Sequence, residues 1–290
     1  MKKAKVTFHT ETLDGLKIFY RKAGDPAALP IVLLHGFPTS SHMFRNLIPE
    51  LSNDYYVIAP DYPGFGFSDA PEHSAFNYTF DNIGRIMGDF IDKLGLKRFA
   101  IYIFDYGAPV GLRIALRFPE RIAAIISQNG NAYNEGFGKE FWAPIRKYWE
   151  NPTQENRYAL KDGLTYDGVR FQYHNGVENA EQRIAPEAIM LDVAFLARPQ
   201  STEIQLDLVG DYKNNVQLYP KFHQYFRAKT PPMLCAWGKN DSFFIPRGAE
   251  AYKRDLPDAR VVFFDTGHFA LETHAAEIGA EIRLFLQDKE

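Results

Sequence analysis

The chain has 290 residues, of which 46% are hydrophobic and 24% charged, and a formal net charge of -3. That length suits one large domain or two small ones with a substantial core, and the charge excludes the basic footprint of a nucleic-acid binder or a polybasic membrane patch. A single cysteine, Cys235, excludes an intramolecular disulfide and fits a reducing compartment.

The opening stretch MKKAKVTFHTETLDG has lysines but no apolar centre of a signal peptide, and no later run approaches the length of a membrane span. A soluble, cytoplasmic protein is therefore expected. KVTFH and LKIFY read as a hairpin around Asp14-Gly15. IVLLH (31–35), YYVIAP (55–60) and RFAIYIF (98–104) are short, almost wholly apolar runs, as strands buried on both faces require. Phe80, Ile83, Met87, Phe90, Ile91 and Leu94 recur at a helical period before a stop at Gly95. Strand alternating with helix predicts a parallel sheet covered on both faces. A helix after Asp105 leads to the strand RIAAIISQ (121–128), and then the rhythm breaks. Residues 131–228 carry helical patterns rich in Tyr and Trp and no buried strand run. The sheet resumes with PPMLCAWG (231–238) and ARVVFFD (259–265), and a terminal helix ends the chain. The domains predicted are a core of 1–130 and 229–290 and a helical insertion of 131–228.

Ligands of open parallel sheets bind at the carboxyl ends of the strands. HGFP (35–38), Asp105, WGKND (237–241) and DTGHF (265–269) all fall at such ends. An apolar strand that delivers Asp105 to its tip raises a question, because a buried carboxylate is costly unless paired or at work. Asp105 alone could be a helix N-cap. Asp241 alone could be a turn residue, and His35 reads as support for its loop. GFGFSD (64–69) lacks the third glycine of a dinucleotide loop, and His268 and His274 do not have the spacing of a zinc helix. No cofactor and no metal are expected.

The order Asp105, Asp241, His268 resembles the nucleophile, acid, histidine order of the α/β-hydrolases. The resemblance covers essentially the whole chain and implies an α/β-hydrolase fold: a mostly parallel eight-stranded sheet flanked by helices, with 131–228 as an inserted helical cap domain. Within that superfamily, Asp in place of Ser at the nucleophile elbow resembles the epoxide hydrolases and the haloalkane and haloacetate dehalogenases. By that resemblance Asp105 attacks carbon and forms an ester, and His268 activates the water that hydrolyses it. Asp241 orients the imidazole, and the backbone N–H groups of Phe37 and Tyr106 form the oxyanion hole.

Two leaving groups compete. In epoxide hydrolases cap tyrosines protonate the departing oxygen, and comparable positions here are Tyr212 in GDYKNNVQLYP and Tyr148 in RKYWE. Haloalkane dehalogenases typically hold halide with a Trp after the nucleophile and an Asn or second Trp; Tyr106 and Phe37 stand there instead. Haloacetate enzymes carry an Arg after the nucleophile, and Tyr106 departs from that too. An epoxide hydrolase giving a diol is the first expectation, a haloalkane or haloacid dehalogenase the second, and an idle scaffold binding a small ligand the third. The expected partners are a small apolar organic substrate and water, with a homo-oligomer left open.

Overall fold

Asp14 and Gly15 both take positive φ, 51° and 80°. This primed turn matches the twist of two strands, and it joins β1 (Thr7–Leu13) to β2 (Leu16–Ala23) in antiparallel register. The computed structural model describes residues 5–287, so residues 1–4 and 288–290 of the predicted core lie outside the described residues. Six further strands follow: β3 (Pro30–Leu34), β4 (Tyr56–Pro60), β5 (Phe99–Phe104), β6 (Ile122–Gln128), β7 (Met233–Gly238) and β8 (Arg260–Phe264). They form one sheet in the order β1-β2-β4-β3-β5-β6-β7-β8. β2 meets β4 antiparallel, and from β4 to β8 every neighbouring pair is parallel.

All six residues of β5 are buried, because helices cover both faces. Ile101 and Ile103 point to the layer of Ile83 and Met87 on the helix Phe80–Lys93. Tyr102 and Phe104 point to the opposite layer with Phe44, Leu271 and Ile278. Each such side chain stabilises the fold by roughly 1.5–3 kcal/mol relative to an exposed one. The terminal helix spans Leu271–Leu286, with a kink where His274 leaves helical geometry.

Between β6 and β7 the structure is helical: Lys139–Glu150, Gln154–Tyr158, Tyr166–His174, Pro186–Leu196 and Ser201–Lys229, with short turns between. Thr153 and Thr165 cap two of these helices by accepting the N–H groups of Asn156 and Gly168. This segment packs over the carboxyl end of the sheet, where Trp142 and Tyr212 lie against Phe244 of the loop after β7. No helix among the described residues is long and apolar enough to cross a membrane.

Candidate active site

Asp105 follows β5 directly and has φ 49°, and the helix Gly107–Arg117 starts two residues later. A non-glycine residue in the left-handed region costs about 1 kcal/mol or more, and Asp and Asn tolerate it best. The turn holds the carboxylate at the strand tip, beside a helix N-terminus that favours negative charge. The Phe37 N–H donates to Asp105 Oδ1 at 2.6 Å. That approach is possible because residue 36 is glycine: a Cβ there would stand 2.3 Å from Asp105 Oδ1. Gly36→Ala is expected to shift the carboxyl group and to lower kcat/KM on any accepted substrate about 100-fold. Unchanged circular dichroism would separate this from unfolding, and an activity within twofold of wild type would refute it.

The loop that carries Phe37 is itself braced. His35 is buried, stacks on Tyr62 at 4.0 Å, donates to the Gly36 carbonyl and accepts the Tyr62 N–H. Burial holds its pKa down to about 3, so the ring stays neutral and keeps these fixed roles. Asp61 binds two loops by accepting the N–H groups of Ser41 and Phe67.

His268 lies in the loop after β8, and its Nδ1 is 2.7 Å from Asp241 Oδ2. Its Nε2 is 3.9 Å from Asp105 Oδ2, longer than a hydrogen bond. Asp241 uses its other oxygen to accept the N–H groups of Phe243 and Phe244, so the turn and the ion pair come from one carboxylate. Phe104, Phe243 and Phe269 surround the imidazole. Burial pushes the Asp105 carboxyl up to about 6, against His268 and the N–H groups of Phe37 and Tyr106, which favour the anion. Burial also opposes charge on His268, but Asp241 and Asp105 outweigh it and hold its pKa above the ordinary value. A carboxylate, an oriented imidazole and an acid in this chain can supply a nucleophile and then a general base.

Asp105, Tyr106, Phe37, His268 and Tyr212 face one cavity of about 350 Å³, walled largely by Phe141, Trp142, Leu160, Leu206 and Phe243. Tyr212 is buried, and its hydroxyl makes no close hydrogen bond among the described residues, with Tyr219 the side chain that engages it at longer range. Burial, then the nearby Tyr219 and Asp105, keep that phenol protonated well beyond the usual tyrosine range. Tyr148 is not brought here. It packs against Gly210 and lines a separate surface cleft with Arg157 and Asp207. All three Trp indoles donate to backbone carbonyls: Trp142 to Phe243, Trp149 to Val209 and Trp237 to Phe244.

Four residues absent from the sequence-derived set belong to the site. Asn129, at φ 49° after β6, donates to Asp241 Oδ2 at 2.7 Å and accepts the Gly238 N–H. Gln128 donates to the His268 carbonyl and is held by the Tyr102 hydroxyl. Gln172 and Gln205 lie on the cavity wall. Gln128 ends the run RIAAIISQ and Asn129 follows it, and two polar residues at the tip of an apolar strand are the signal available for the first two. Single glutamines on helices carry none.

The family model of the alpha/beta hydrolase fold matches residues 30–275. An uncharacterized hydrolase of Saccharomyces cerevisiae is 48% identical over 95% of each chain. Epoxide hydrolase 4 of Mus musculus is 25% identical over 83% of this chain and 67% of its own. The crystal structure of haloalkane dehalogenase DbeA from Bradyrhizobium elkani superposes with a TM-score of 0.82 at 22% identity, covering 98% of both chains. With eight strands in this order and the matched residues spanning every polar strand end described above, the chain belongs to the alpha/beta hydrolase fold family.

Proposed function

We propose that this hydrolase opens small, neutral, apolar epoxides to diols through an ester on Asp105. The observation that carries the reading is a pairing in one apolar cavity. A carboxyl with Oδ1 held by Phe37 and Oδ2 turned towards His268 shares that cavity with a buried tyrosine hydroxyl that makes no close hydrogen bond.

In the first step Asp105 Oδ2 bonds to a ring carbon and the ring C–O bond breaks. The departing oxygen takes the Tyr212 proton and leaves a tyrosinate. In the second, His268 Nε2 takes a proton from water, and the hydroxide adds to the Asp105 carbonyl carbon. The negative charge gathers on Oδ1, where the Phe37 and Tyr106 N–H groups stabilise it. Collapse releases the diol oxygen, which takes the proton from His268. The second water proton, left on the Asp105 carboxyl, restores Tyr212. The sum is epoxide plus water giving diol.

Three features weigh against halide or haloacid. The indole donors are already committed to carbonyls. Among the described residues no lysine or arginine lines the cavity, and Glu140 and Asp162 stand exposed at its lining. An anionic substrate would thus meet three carboxylates and no fixed cation apart from a protonated His268. Turnover of styrene oxide, 1-bromobutane and chloroacetate tests the reading. Diol is expected from the epoxide at a kcat/KM at least about 100-fold above bromide release, and Tyr212→Phe is expected to lower epoxide kcat by about 10²-fold. Halide release exceeding diol formation would replace this reading with dehalogenation.

A further inference from the structure

The cavity has a second polar end. Gln205 is 1% exposed, faces the cavity, and its side-chain oxygen is buried without a hydrogen-bond partner. Such an oxygen is expensive to leave unpaired in an apolar wall. Gln205, Val209 and Tyr212 all line the cavity from the helix Ser201–Lys229, at the i, i+4, i+7 spacing of a single helix face. Seven residues of helix place Gln205 about 10 Å from Tyr212 along the axis. The reacting groups sit at one end of that stripe and the unsatisfied amide at the other.

Gln172 adds to the same wall. Its amide nitrogen donates to the carbonyls of Gly163 and Gly168 at 3.3 Å, so its oxygen is the end left over. The exposed carboxylates Glu140 and Asp162 on the cavity lining also favour a substrate with a donor over one with a further acceptor. A terminal amide turns readily about its last torsion, so the Gln205 oxygen can swing to meet a ligand.

We infer that Gln205 is a specificity-determining residue that accepts a hydrogen bond from a hydroxyl or N–H group on the substrate, about 10 Å from the reacting ring. The substrate class is then an apolar epoxide with a neutral donor at its far end. The substrate's epoxide ring rests on the proposed function, but the far-end site itself does not depend on chemistry at Asp105.

Binding and turnover separate the two. Calorimetry compares a linear alkanol with its methyl ether, on wild type and on Gln205→Leu. The alkanol is expected to bind wild type about tenfold more tightly, the difference one satisfied buried acceptor makes, and that preference is expected to vanish in Gln205→Leu. Equal binding of the pair by wild type overturns the inference. So does a preference that persists in Gln205→Leu, because the hydroxyl is then held elsewhere. A series of epoxides with a terminal hydroxyl or methyl ether gives the second readout. The ratio of kcat/KM between the two caps should favour hydroxyl in wild type and approach one in Gln205→Leu, whereas a merely structural role would lower both equally. Alkanol selectivity without diol from any epoxide would keep the Gln205 site and sink the epoxide reading.

Discussion

Asp105→Asn is expected to lose at least about 10⁴-fold in turnover and to gain stability at pH 8. The loss follows from replacing an anion by a neutral amide that forms no ester. The gain follows from burial. The folded carboxyl titrates near 6, against an ordinary value of 3.8. A carboxyl raised in this way binds its proton more tightly in the folded state, so its favourable contribution is complete below the unfolded pKa. That contribution is lost as pH rises through about 6. Above that value the wild type carries a buried anion at a cost on the order of 3 kcal/mol. Asparagine keeps the left-handed backbone and an oxygen for the Phe37 N–H while removing the charge. Thermal unfolding should show Asp105→Asn melting several degrees above wild type at pH 8, with the gap closing towards pH 4. A variant no more stable at pH 8, or one that still turns over substrate, would contradict the assignment.

His268→Ala should stop the cycle half-way. The first bond to carbon needs only Asp105 and an acid for the leaving oxygen, while hydrolysis needs a base for water. Turnover should fall by at least about 10⁴-fold, with one equivalent of substrate fixed to the protein. Mass spectrometry should find the whole substrate mass on the peptide containing Asp105. The variant should fold, because Asp241 keeps three donors without the imidazole: Asn129, Phe243 and Phe244. An adduct on another peptide, or none after long incubation with a substrate that wild type consumes, would remove the ester from the mechanism.

What the sequence discloses here depends on how locally each feature is encoded. β3 to β7 are legible because strands covered on both faces must be nearly all apolar, and each run ends within a residue or two of its observed strand. Asp105, Asp241 and His268 are legible because a parallel sheet gathers its strand ends on one side, so residues far apart in sequence converge there. Tyr148 and Tyr212 read alike in sequence, as aromatic residues of helical stretches. Their separation depends on helix rotation: Trp142 and Ile145 turn the helix Lys139–Glu150 to the cavity, and Tyr148 comes out on another face. Gln205 is silent in sequence for a related reason. A lone glutamine on an amphipathic helix normally faces water, and only packing reveals that this one does not.

The elbow at residue 105 has a consequence for how such enzymes diverge. A left-handed backbone pressed against Gly36 admits only a short polar side chain, so the proposed attacking group has few permitted replacements. The helix face bearing Gln205 and Val209 is under no such backbone restriction. Lineages built on this scaffold can therefore explore new substrates by exchanging residues on that stripe, while the proposed bond-forming step stays fixed beneath it.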